Sequence, residues 1–244
     1  MTPILNPNGV PTPTATVTPA GMQFTATPTT TPTTTPTTTP TPTPTACSAY
    51  AIQPPITPYS QCDPQWASWP YDDHPGTDIC LNGCLETCIA MLSSDSTFGA
   101  IAGGSQNPEE MNNFFVKNSD FTPATIINGQ TKGYNLKTPL ACQQLGWEFD
   151  WQLYSSGTLQ KDLSNPRAVV IAEVKYYNGT MLHHHFVVVT GEAWNPYTHQ
   201  CEFTIVDPAY SSSVSFLNQY ANAVTLNPNT DAAAILSLRE IVRP

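Results

Sequence analysis

The chain has 244 residues, 25 of them proline, and carries only 8 basic against 18 acidic side chains, a formal net charge of −10. So few Lys and Arg exclude the basic footprint that nucleic-acid binding requires, and no stretch approaches the roughly 18 apolar residues of a membrane-spanning helix. Charged residues make up 11% of the chain, against roughly 25% in ordinary domains, and a surface rich in uncharged Ser, Thr, Asn and Gln suits an exported protein.

Met1 to Val10 shows neither a basic stretch nor an apolar core of the kind found in a secretory leader, so the export signal is expected upstream of this segment. Residues 11–45 form a Pro/Thr tract; from Thr25 to Thr45 every residue is Thr or Pro except Ala26. Such a segment has almost nothing apolar to bury against the entropy of ordering. Proline favours an extended, polyproline-II-like strand, which at ~3.1 Å per residue spans up to about 110 Å. Residues 1–46 are therefore expected to be a disordered linker or stalk that holds residues 47–244 away from a surface. The second part contains all seven Cys and all five Trp and is long enough for one domain with a substantial core.

Within that domain, Pro54 to Trp69 reads as an irregular aromatic opening segment. Leu85, Cys88, Ile89 and Leu92 recur at spacings of three and four, which predicts a helix over Cys84–Leu92. Asn107 fits an N-cap and Pro108 the first helical position, while Glu109 and Glu110 suit the positive dipole end; a helix over 108–117 follows. Thr138–Leu145 reads as a short helix closed by Gly146, and Leu159–Leu163 as a further helical turn. The pattern then changes to strands: Ala168–Lys175, a turn at Tyr177-Asn178-Gly179, His183–Trp194, a turn over Asn195–Gln200, Cys201–Val206, and a last strand over Ala234–Val242. Helices first and antiparallel strands later predict an α+β fold with the helices packed on one side of a sheet.

Cys84 follows Gly83 and opens a predicted helix, where the positive dipole end favours a thiolate; spacing alone also admits a small core residue or a disulfide partner. Seven Cys leave one thiol unpaired if the other six form three disulfides, and a lone free Cys84 fits catalysis. Cys80, Cys84 and Cys88 at intervals of four match no zinc pattern, so no metal is expected. In His183-His184-His185, strand alternation puts His183 and His185 on one face and His184 on the other. Asp207 precedes Pro208 at the end of the next strand, within reach of His185 if the strands pair antiparallel; an Asp-Pro turn is the alternative. Gln61 is either a surface amide or an oxyanion donor beside the Cys84 backbone N–H.

Taken together, these residues resemble a known family. Tyr59-Ser60-Gln61-Cys62-Asp63-Pro64-Gln65-Trp66-Ala67 is similar to its opening motif, and Gly83-Cys84-Leu85-Glu86-Thr87-Cys88-Ile89-Ala90-Met91-Leu92 to its nucleophile helix. His185-Phe186-Val187-Val188-Val189-Thr190-Gly191 and Val206-Asp207-Pro208 are similar to its histidine strand and its third-residue motif. The family is that of the papain-like cysteine peptidases related to the bacteriocin-processing peptidases, and the likeness runs over about residues 56–210. It implies a papain-like fold, Cys84 as nucleophile, His185 as general base and then acid, with His183 the second choice, Asp207 as orienting residue and Gln61 as oxyanion donor. Leu85 and Glu86 depart from the small residue and proline that the family carries after its nucleophile.

The implied protein is a monomeric, secreted or surface-tethered peptidase that acts on peptides or proteins and needs no cofactor. The same triad acting on peptidoglycan is a second expectation. A catalytically inactive binding or adhesion module on a stalk, suggested by Leu85, Glu86 and the aromatic residues Trp66, Trp69 and Tyr71, is a third.

Overall fold

In the computed structural model, the described residues are 47, 56–74, 76–94, 106–123, 125–127, 130–132, 135–177, 182–209, 214–217 and 235–242. The expected Pro/Thr stalk, 1–46, and the turn at 178–179 lie outside them.

The opening segment is anchored rather than loose. The Trp66 indole is buried and donates its Nε1–H to the Ser60 carbonyl at 2.8 Å, with the Tyr59 ring edge-on at 5.7 Å. A 3-10 turn over Tyr71–Asp73 leads to a one-turn helix α1, Ile79–Asn82, whose N-cap Asp78 accepts from the Leu81 N–H. Gly83 separates it from α2, Cys84–Ser93. A Cβ at Gly83 would stand 2.7 Å from both the Ile79 carbonyl oxygen and Ile79 Cγ2, so this junction closes only without a side chain. Every residue of α2 after Cys84 is buried, Glu86, Thr87 and Ser93 included, which makes it a central helix rather than an amphipathic surface one.

Helix α3, Pro108–Lys117, spans the predicted range, and the local chemistry explains why. The Asn107 side chain accepts from the Glu110 N–H while the Glu110 carboxylate accepts from the Asn107 N–H, and Lys117 stands at the negative end. A short hairpin follows, β1 at Thr125–Ile127 and β2 at Gln130–Lys132. Helix α4 covers Thr138–Gln144, and Gly146 beyond it adopts φ +75°. Strand β3, Glu148–Leu153, was not expected from the sequence; three of its residues share an apolar face, but Glu148, Asp150 and Gln152 dilute the apolar signal. Helix α5, Ser156–Leu163, starts at the N-cap Ser155.

The remaining strands are β4 (Ala168–Tyr177), β5 (Leu182–Asn195), β6 (Gln200–Val206), β7 (Val214–Phe216) and β8 (Ile235–Val242). They form one antiparallel sheet with β3, in the order β3-β8-β4-β5-β6-β7. The α+β class therefore holds. The expectation of helices on one side only is corrected: Val169, Ile171, Val188 and Ile241 pack with α2, α3 and α4, while Val170, Ala172, Val187, Val189 and Leu238 pack on the opposite face with Leu159 and Leu163 of α5. The cause is in β4, whose run Ala168–Ala172 is apolar at every position and needs cover on both faces.

The cysteines also differ from expectation. Two disulfides form, Cys47–Cys201 and Cys62–Cys80, and Cys84, Cys88 and Cys142 are free. Cys88 and Cys142 are not disulfide-bonded because both are buried in helices, Cys88 with its thiol directed at the Phe186 carbonyl and Cys142 within the core of α4. Two disulfides are compatible with an extracellular protein, and no helix among the described residues is long and apolar enough to cross a membrane.

Candidate active site

Cys84 is the first residue of α2 and the only one of the three free thiols that is not buried. Burial pushes the Cys142 thiol up to about 12, and burial, reinforced by the charges of Cys84 and Asp207, pushes Cys88 well up too. Neither is a nucleophile at neutral pH. Cys84 instead occupies a helix N-terminus, where its environment faces the positive dipole end.

The pairing of β5 with β6 supplies the next two residues. Val188 lies opposite Val206, so the chain just before Val188 meets the chain just after Val206. His185 Nε2 stands 2.7 Å from Asp207 Oδ1, with His185 5% exposed and Asp207 fully buried. Asp207 Oδ1 also accepts from the Ala209 N–H at 2.8 Å, which fixes the carboxylate as the chain turns at Pro208. Because Asp207 holds Nε2 of the imidazole as a donor, Nδ1 is the nitrogen left for the Cys84 thiol, which is in hydrogen-bonding contact with the ring. Burial alone would pull the His185 pKa down. The hydrogen bond to Asp207, the contact with Cys84 and the negative charges of both outweigh it and raise the value to about 9. The ring is thus held as an imidazolium through neutral pH, the counter-ion a thiolate requires.

Gln61 reaches the same place by a different route. Its backbone N–H donates to the Pro208 carbonyl at 2.8 Å, beside Asp207. Its side-chain Nε2 donates to the Cys80 carbonyl, one helical turn ahead of Cys84. The Cys62–Cys80 disulfide ties the neighbouring residue to that turn as well. One amide proton of Gln61 is thereby engaged and the second is left over. All four residues expected from the sequence converge: Gln61 and Asp207 through Pro208, Asp207 and His185 directly, His185 and Cys84 by contact. His184, on the opposite strand face, is bound instead to Glu173, with Nδ1 2.8 Å from Oε1.

Two features of the surroundings escaped sequence reasoning. Glu86, two residues beyond Cys84, is fully buried, and neither carboxylate oxygen has a hydrogen-bond partner among the described residues. Burial, then the charges of Cys84 and Asp72, push its pKa well up, which favours the neutral carboxyl. The sequence flagged the position as a charge close to the candidate nucleophile but gave no sign of its burial. The second is a charged group on β4 and β8: Glu173 Oε2 accepts from Ser237 Oγ at 2.6 Å and from Arg239 Nη1 and Nη2, both at 3.3 Å. Charged residues interrupting two apolar strands, Glu173 and Lys175 in β4 and Arg239 and Glu240 in β8, were the available signal. Geometrically, a half-buried thiol, an imidazole and a carboxylate in series can perform nucleophilic acyl transfer with the imidazole shuttling the proton.

No protein-family model matches the chain, and no curated protein matches it.

Proposed function

We propose that this protein is a secreted or surface-tethered cysteine peptidase of papain-like architecture. The observation that carries the reading is the position of His185, bound at Nε2 by Asp207 at 2.7 Å and in contact with the free thiol of Cys84 at the start of α2. The Cys84 thiolate attacks the scissile carbonyl carbon to form a C–S bond, and the carbonyl π electrons move to oxygen. The remaining amide proton of Gln61 and the Cys84 backbone N–H receive that oxyanion. On collapse, the C–N bond breaks and the His185 imidazolium gives its proton to the departing amine. Water, deprotonated by the now neutral His185, attacks the thioester and restores Cys84. Asp207 keeps the ring oriented in both half-reactions.

The test is alkylation of the native, oxidised protein with a peptidyl electrophile, followed by peptide mapping, together with hydrolysis assays of Cys84→Ala. The expected result is modification of Cys84 alone, with Cys88 and Cys142 untouched, and loss of hydrolysis in the variant. An inert Cys84, or full hydrolysis by Cys84→Ala, overturns the reading and makes the stalked binding module the better account.

A further inference from the structure

A cavity of about 400 Å³ opens beside Cys84, with Tyr71, Asn82, Leu85, Thr138 and Arg239 on its walls. Arg239 is held rigidly there. Its guanidinium lies 4.4 Å over the Phe186 ring, and Nη1 donates to Ser237 Oγ at 3.2 Å as well as to Glu173. Glu173 is itself fully engaged, by Ser237, Arg239 and His184. Three of the five guanidinium N–H groups are thus satisfied. The Nε–H and one Nη2–H have no acceptor among the described residues. On the same cavity, Asn82 engages its Nδ2 with the Asp78 carbonyl, and its Oδ1 has no donor among the described residues.

The charged and titratable groups on these walls are bound to one another, the Arg239 guanidinium and the His184 imidazole both on the Glu173 carboxylate. A charged side chain entering a half-enclosed site would bring an uncompensated charge out of water. An apolar one would leave the Arg239 donors unpaired. A primary amide offers a carbonyl oxygen to Arg239 and N–H donors to Asn82 Oδ1 and carries no charge. We propose that this cavity is a substrate subsite for a side-chain amide, Asn or Gln, close to the bond that Cys84 attacks; this deepens, and rests on, the peptidase reading above.

The test uses the full chain and a series of peptidyl vinyl sulfones that carry Gln, Asn, Glu, Lys or Met at either of the two residues before the electrophile. Rates of Cys84 labelling are read by mass spectrometry. The expected result is that, at one of the two positions, a Gln or Asn probe labels at least about tenfold faster than its Glu, Lys and Met counterparts. In Arg239→Gln the Gln-to-Met ratio should fall to within about threefold of one. Comparing two probes within one variant cancels any change in thiol reactivity, and if that variant does not fold, the wild-type series decides alone. Equal rates across the series, or a preference for Glu, Lys or Met at both positions, overturns the subsite while leaving the peptidase reading intact. Failure of every probe and of iodoacetamide to label Cys84 overturns both.

Discussion

Replacing Asp207 by Asn should uncouple His185 from the carboxylate that keeps it charged. In the folded protein the His185 pKa rises from 6.5 to about 9, which corresponds to about 3 kcal/mol at roughly 1.4 kcal/mol per pH unit. The folded value lies above the unfolded one, so this stabilisation is fully present below pH 6.5 and is lost as the pH rises through 9. Asp207→Asn keeps the shape but removes the charge and the strong acceptor, and burial then pulls the imidazole down. The stability gap between wild type and variant should therefore be widest near pH 6, at about 2–3 kcal/mol, and shrink toward pH 9.5. Urea unfolding across that range measures it. The alkaline limb of kcat/KM for peptide hydrolysis, which needs the His185 imidazolium as proton donor, should move in parallel, from near pH 9 in the wild type to below about pH 7 in the variant. A gap that does not change with pH, or an alkaline limb still near 9, would refute the coupling.

Asp162 of α5 is a buried carboxyl whose pKa is raised by burial and by Glu240 from 3.8 to about 6. Its folded value lies above the unfolded one, so it destabilises the fold as the pH rises from about 4 through 6; Asp162→Asn should be up to about 3 kcal/mol more stable than wild type at pH 7.5, with the advantage gone at pH 4, read by denaturant unfolding at both values. Gly83→Ala would press a Cβ to 2.7 Å from the Ile79 carbonyl oxygen, and should cost about 1–3 kcal/mol and slow Cys84 labelling, since the start of α2 must shift; unchanged melting and labelling would contradict the close approach. Gln61→Ala should lower kcat by about 10²–10³ with little effect on KM, and an unaltered kcat would remove Gln61 from the oxyanion site.

How far the sequence could be read follows the range of the interactions. Helix α3 was legible to the residue because its determinants, Asn107, Pro108, Glu110 and Lys117, act within the helix itself. β5 and β6 were legible from β-branched runs and turn residues, and the order Gln61, Cys84, His185, Asp207 pointed to the candidate site. β3 was missed because its alternation is diluted by charged and amide side chains, and its place comes from pairing with β8, more than eighty residues away in the chain as seen in the register of Glu148 with Val242.

By itself, the sequence determined the α+β class, the helix limits that caps and proline impose, the strand periodicity and the residue types of the site, since each depends on neighbours a few positions apart. Tertiary structure decided the rest. It sent the C-terminal strand β8 between β3 and β4, covered the sheet on both faces and chose two cysteine pairs out of the many that seven residues allow. Alternation could only group His183 with His185; it is the 2.7 Å approach of Asp207 across the β5–β6 ladder that gives His185 its carboxylate. The pairing of Glu173 with Arg239 beside Cys84 was likewise invisible beforehand, because the residues stand on strands joined only by long-range register, Ile171 opposite Arg239 and Glu173 opposite Ser237. Register between distant strands is set by which faces can be buried together, and that is a property of the assembled core rather than of any local stretch of chain.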